Sequence, residues 1–356
     1  MSTETVSGPV RPAAATGTRS MGREALILLV FSAIVLSMPF WLPLLGGYEG
    51  LATKIMVWAI FAVGFDILLG FTGLLSFGHA AFFGGAAYVT GYVFRDHTSE
   101  IIVAFIASQL GVLVLAAAIG FLSLRRTGIY FSILTLAFAE MMFAAALAIF
   151  APFTGGYDGL TMRTTPTLFG MPMQGLYVFY MGAIMLIFGF AVARMIKNSA
   201  FGLMLRSIKE NPMRLQYTGV NVWAYKMAAF MISAHFAGVA GFLMVVYEPY
   251  VATKFLHWST SGEVVIMSVI GGVGTLFGPI IGAGFLMYFE NVVQAAIGEQ
   301  WKLVLGLVFV LVVIFLPGGF VQLGAMIWRA TGHKVRERRH NVPDMEPDTQ
   351  RERNLG

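Results

Sequence analysis

Three ionisable residues, Asp66, His79 and Glu140, interrupt long runs of aliphatic and aromatic residues. A charge in such a run costs several kcal/mol unless it is paired, protonated or wet. The two acids each have two readings. Either could line a pathway and meet the ammonium group of a solute, or could be bonded to a neighbouring helix and tie two helices together. His79, between Gly78 and Ala80, reads as a bond across a helix contact rather than a group that titrates during transport. No catalytic set accompanies them. The six histidines form no H-E-x-x-H pair, and no paired carboxylates are evident. The absence of cysteine removes thiolate catalysis and cysteine–zinc sites. An intramembrane enzyme needs clustered ligands of this kind, so no catalytic, cofactor-binding or metal-binding residue is expected.

A second chemistry to test is phosphate binding. Gly271, Gly272, Gly274 and Gly278, followed by Pro279, are glycine-rich, but no Lys-Ser/Thr follows and no strand precedes them. G-x-x-x-x-G-K-[ST] occurs nowhere in the chain. The cluster reads instead as a turn into a new helix. Gly70, Gly73, Gly78, Gly84 and Gly85 read as close helix contacts or a broken helix.

The elements that must position these residues follow from composition. Of 356 residues, 58% are hydrophobic and 12% charged, against about a quarter charged in a soluble domain. So few charges cannot cover a water-facing surface. The expected fold is all-α, a polytopic membrane bundle of about ten transmembrane helices. Apolar segments lie near 25–45, 52–70, 74–94, 101–124, 128–150, 175–195, 225–247, 262–273, 275–293 and 302–323. The third and eighth are glycine-rich or short, and read as broken or re-entrant. Residues 1–22 and 329–356 read as disordered cytoplasmic tails around a transmembrane domain at 23–328. Lys334–Arg339 in the second tail could touch anionic lipid, though a topology anchor is the simpler reading.

Charge placement supports an even number of crossings. With the N-terminus in the cytoplasm, 18 of the 23 Lys and Arg residues fall on the cytoplasmic side. Lys54, Arg95, Arg163, Lys254 and Lys302 fall on the other. Removing one crossing would put Arg125 and Arg126, or the large basic loop, on the wrong side. The net charge of +5 is therefore a topology signal and not a nucleic-acid surface.

That basic loop, within 196–224, is longer than a helix hairpin requires. Ser199 can cap a first short helix, with Phe201, Leu205 and Ile208 on one face. Asn211 can cap a second, with Pro212 at its first position and Gly219 at its stop. Such an elbow could be a grip for a soluble ATPase or a helix pair lying on lipid headgroups.

The stretches Gly64–Tyr92, Arg126–Met141, Thr154–Leu160, Phe201–Gly241 and Val269–Ala283 resemble, in order, those of LivM-type permeases of branched-chain amino acid ABC importers. The resemblance covers residues from about 55 to 295. It implies a non-enzymatic transport subunit in a bacterial inner membrane, with both termini cytoplasmic. It also implies a LivH-type permease partner, two cytosolic ATPases that hold ATP and Mg, and an extracytoplasmic binding protein. By the same resemblance, Leu205, Arg206, Ile208, Lys209, Glu210, Asn211 and Pro212 form the segment that seats in the ATPase. The family often has Asn where this chain has Asp66. An ion-coupled secondary transporter using Asp66 or Glu140 is the alternative, with only a faint glycine-rich echo between 70–90 and 271–290 to suggest internal repeats.

Overall fold

The computed structural model describes residues 17–162, 164–323 and 326. The expected tails, Arg163 and the run Lys334–Arg339 lie outside the described residues, except that 17–22 belong to the first helix. In chain order the helices are α1 (Gly17–Leu36), α2 (Met38–Trp41), α3 (Glu49–Thr72), α4 (His79–Asp96), α5 (Ile101–Ser123), α6 (Ile129–Leu147) and α7 (Ala151–Thr154). Then come α8 (Leu176–Asn198), α9 (Ala200–Glu210), α10 (Pro212–Tyr217), α11 (Val222–Tyr247), α12 (Trp258–Gly271), α13 (Phe277–Ile297) and α14 (Trp301–Phe315).

Every expected apolar segment contains a helix, but ten crossings are not established. Helices α3, α5, α6, α8, α11 and α13 are long and apolar enough to span. A seventh span forms if Glu24–Leu36 and Met38–Leu45, bent by 43°, count as one. The 14 residues of α12 and 15 of α14 reach only about 21–23 Å at ~1.5 Å per residue, short of a ~30 Å core. In the third segment, residues 73–78 are non-helical and α4 begins at His79. So the third segment is broken at its start, and the eighth is a helix of about two-thirds the spanning length.

Helix α3 is the axis of the bundle. From Leu51 to Leu68 every residue except Lys54 is buried. A helix that is apolar all round belongs inside protein or lipid; here α11, α8, α13 and α12 surround it. The peripheral helices instead expose large side chains, among them Val114, Ile133, Phe188 and Leu303. Their outward faces suit hydrocarbon.

The two ends of the bundle differ. At one end Glu24 of α1 pairs with Arg194 of α8, and Phe121 of α5 meets Trp223 of α11 with ring centroids 6.1 Å apart. At the other, two-residue strands appear that composition did not suggest. β1 (Leu160–Thr161) pairs antiparallel with β4 (Tyr250–Val251), and β2 (Thr167–Leu168) with β3 (Met171–Pro172). The first of these pairs pins the α6–α8 connection to the α11–α12 connection, where backbone groups have no helix to satisfy them.

Small residues set the closest contact between α4 and α11. A Cβ at Gly241 would run into the Phe83 carbonyl and lie 3.2 Å from the Ala86 Cβ. We expect Gly241→Val to overpack this seam at a cost of about 1–3 kcal/mol, seen as a lowered unfolding temperature in detergent. Gly306 of α14 has open space around it, so Gly306→Ala serves as a control expected to leave that temperature unchanged or raised.

Candidate functional site

Three sites take up the ionisable and capping residues singled out in the sequence. The first is the elbow between α8 and α11. Ser199 Oγ accepts from Gly202 N at 3.2 Å, and Asn211 Oδ1 from Arg214 N at 3.0 Å. These side chains satisfy amides that a helix start leaves free. Gly219, at φ +83°, ends the second helix.

The inner face of α9 is anchored to the bundle. Leu205 and Ile208 are 0% and 2% exposed, and the Phe201 and Tyr225 rings stack at 5.7 Å. Lys209 Nζ donates to Gly70 O at 2.9 Å, which caps a free carbonyl at the C-terminus of α3 with a cation. Of the residues expected to dock, Leu205 and Ile208 face into the bundle, and Lys209, exposed along its length, reaches α3 with its ammonium. Arg206 is exposed but donates to Gly202 O and Lys197 O. Glu210 and Asn211 remain on the outer surface, with Pro212 half-buried beside them. Sequence reasoning missed Leu203, Met213 and Tyr217, which are 59%, 56% and 84% exposed on the same elbow. Their signal was present: each falls off the face marked by Leu205 and Ile208.

The second site is a pair of buried polar ties. Asp66 is fully buried. Its Oδ1 accepts from Gly274 N at 2.6 Å and its Oδ2 from Leu276 N at 3.2 Å. It therefore binds α3 to the turn between α12 and α13. That turn holds Gly272, Gly274 and Leu276 at positive φ, and Leu276 is a residue for which this conformation is costly. His79, also fully buried, contacts Ser76 Oγ through Nδ1 at 3.0 Å and Ser233 Oγ through Nε2 at 2.8 Å. The neighbouring Ala80 N donates to Ser261 Oγ at 2.7 Å. The start of α4 is thus bonded to α11 and α12 together.

The third site surrounds Glu140. Its Oε1 accepts from Trp258 N at 3.2 Å, at the start of α12, and lies 3.8 Å from His257 Nε2. The side chains of Glu140 and His257 are 38% and 33% exposed. The three ionisable residues thus separate: Asp66 and His79 are enclosed by protein, and Glu140 alone reaches a surface. The sequence reading missed His257 and Trp258. The polar string His257–Ser261 before an apolar run was a helix-start signal, but nothing in it pointed to Glu140. Among the described residues no group of three or more His, Cys, Asp or Glu could hold a metal.

Comparison with known proteins places this architecture. Residues 47–313 match the family model described as branched-chain amino acid transport system / permease component. The high-affinity branched-chain amino acid transport system permease protein LivM of Salmonella typhimurium is 27% identical over 329 residues, covering 85% of this chain and 76% of the relative. LivM of Escherichia coli K12 is 26% identical over 350 residues, covering 90% and 80%. The guanosine ABC transporter permease protein NupQ of Bacillus subtilis is 31% identical over 86 residues, covering 24% and 26%. No solved structure matches the chain.

The double acceptance at Asp66 has a measurable consequence. Asp66→Ala strands two amides, one of them buried, each costing about 1–3 kcal/mol. Asp66→Asn keeps one acceptor and faces the other amide with an NH2 group. Unfolding temperatures in detergent should therefore fall in the order wild type, Asn, Ala; equal values for all three would remove Asp66 from this role.

Proposed function

Since the chain belongs to the branched-chain amino acid transport permease family, we propose that it forms one half of an ATP-driven importer, beside a second, LivH-type permease. In this reading two cytosolic ATPases, carrying ATP and Mg, dock beneath the pair, and an extracytoplasmic protein delivers a branched-chain amino acid from above. The chain itself does no bond chemistry. It sits in a bacterial inner membrane with both termini in the cytoplasm, on the side of the basic elbow, as the charge distribution favours.

The observation that carries this reading is the construction of the α9–α10 elbow. One face is bolted to α3 and α11 through Leu205, Ile208, Lys209 and Phe201. The other presents Leu203, Glu210, Met213 and Tyr217 to the solvent. A helix pair lying on lipid headgroups would bury apolar side chains in the interface and send its charges to water. Here the fully buried apolar residues enter the bundle, and a mixed apolar and charged face is left for a partner. The ion-coupled alternative needs a titratable group in contact with water. Asp66 does not meet that need, because it is enclosed and both its oxygens are engaged; Glu140 reaches a surface, so the dependence of uptake on ATP decides between the two readings.

Glu210→Arg combined with Tyr217→Ala tests the docking face without touching the anchors. Loss of an exposed aromatic anchor commonly costs about 2 kcal/mol in binding, so ATPase co-purification should fall by roughly tenfold or more and amino-acid uptake with it. Membrane insertion and pairing with the second permease should be unchanged. Full co-purification with full uptake would overturn the docking assignment. Uptake that survives ATP depletion would overturn the ATP-driven reading itself.

A further inference from the structure

The setting of Glu140 goes beyond a general pathway assignment. At ~1.5 Å per residue it lies about 16 Å from the start of α6, near the middle of a 19-residue helix long and apolar enough to span. Helix α12 begins beside it, because Trp258 N donates to its Oε1. The chain reaches this level through a 3-10 turn, Thr253–Leu256, that follows β4, and His257 separates that turn from α12. An exposed carboxylate in an apolar span persists only where a partner, protein or water covers it. Hydrocarbon offers neither hydrogen bonds nor solvation to this face.

The donors at the start of α12 are already used. Trp258 N is on Glu140 Oε1, Ser259 N on His257 Nδ1 at 3.3 Å, and Thr260 N on His257 O. A helix start can hold an anion, but here the chain's own side chains and backbone have taken that place. His257 Nδ1 lies 2.8 Å from Ser259 Oγ, and its Nε2 edge faces Glu140 Oε1 at 3.8 Å. What is left over is Glu140 Oε2, which has no hydrogen-bond partner among the described residues. Aromatic rings frame it. Phe143 and His257 lie 5.1 Å apart, His257 and Trp258 5.7 Å, and Trp258 is 43% exposed. A carboxylate oxygen among aromatic faces selects a cation.

We propose that Glu140 Oε2, framed by His257 and Trp258, receives the ammonium group of the amino-acid solute midway through the membrane. This rests on the reading of the chain as an amino-acid permease. The solute's carboxylate is not held at the start of α12, whose amides are capped, and its apolar side chain meets the aromatic frame. The competing occupant, a cationic side chain of the second permease, gives a different result in the test below.

The test uses the complete importer in proteoliposomes, with labelled leucine and parallel measurement of ATP hydrolysis. Glu140→Gln keeps an oxygen for Trp258 N, so the α12 cap survives while the charge is lost. Uptake should fall about ten- to hundredfold, the range for one charge-assisted hydrogen bond. Stimulation of ATP hydrolysis by the loaded binding protein and co-purification of both permeases should persist, so more ATP is spent per leucine moved. Glu140→Asp should restore part of the uptake. Unchanged uptake in the Gln variant overturns the proposal, and so does loss of the second permease on purification, which would assign Glu140 to subunit pairing. A wild-type importer that moves no branched-chain amino acid overturns the functional reading first, before any variant is compared.

Discussion

One carboxylate fixes the arrangement on which the other contacts depend. Asp66 accepts two backbone amides from the turn between α12 and α13. Without it, the amide of Leu276 would be buried unpaired, in a sparsely populated positive-φ conformation that costs a leucine about 1–3 kcal/mol. The turn is tight because Gly271 and Gly278 touch where a Cβ would meet backbone, and Gly282 likewise meets the Met267 carbonyl. Those contacts hold α12 and α13 as a hairpin, and Asp66 holds that hairpin to the central helix. The placement of α12, and hence of its far end beside Glu140, follows from this bond.

The same end of α3 meets the elbow. Gly70, one helical turn past Asp66, gives its carbonyl to Lys209, and a Cβ on Gly70 would strike both Asp66 Oδ1 and the Gly274 backbone. Within two turns of helix, α9 and the α12 hairpin are both tied to α3, by the Lys209 and Asp66 side chains. A displacement of α9 therefore acts on the same end of α3 that holds the hairpin. At its other end α12 is bonded to α4, through Ser261 and Ala80, and to α6, through Trp258 and Glu140. Packed interiors respond to such a push by moving elements as units rather than by deforming continuously.

Much of this architecture was legible in the sequence because its signals are local. Helix caps at Ser199 and Asn211, the stop at Gly219 and the apolar runs depend on residues a few positions apart, and each has its expected element. What was not legible is long-range. The bond from Asp66 to Gly274 spans 208 positions, and that from Glu140 to Trp258 spans 118. Nothing in the spacing of either residue names its partner. The inward turn of Lys209 was hidden for a related reason. A lysine next to Glu210 in a basic loop reads as solvent-facing until the carbonyls ending α3 are placed beneath it. The span count is unconfirmed for a different reason: hydropathy marks that a segment is apolar, but not whether its helix is long enough to cross, and the 14 residues of α12 are too few.

The contrast between the two acids shows how little residue type decides. Asp66 and Glu140 both sit in apolar runs, and the sequence offers each the same two roles. Asp66 meets two amides and no opening, so its charge is spent on holding a turn. Glu140 meets one amide, a histidine edge and an open face, so one oxygen caps a helix and the other is left over. Burying that second oxygen without a partner would cost more than the cap returns. A half-engaged carboxylate in an apolar run therefore persists only if it is completed by a partner, wetted or protonated. That requirement, and not the presence of an acid as such, sets Glu140 apart from the acid that ties helices together.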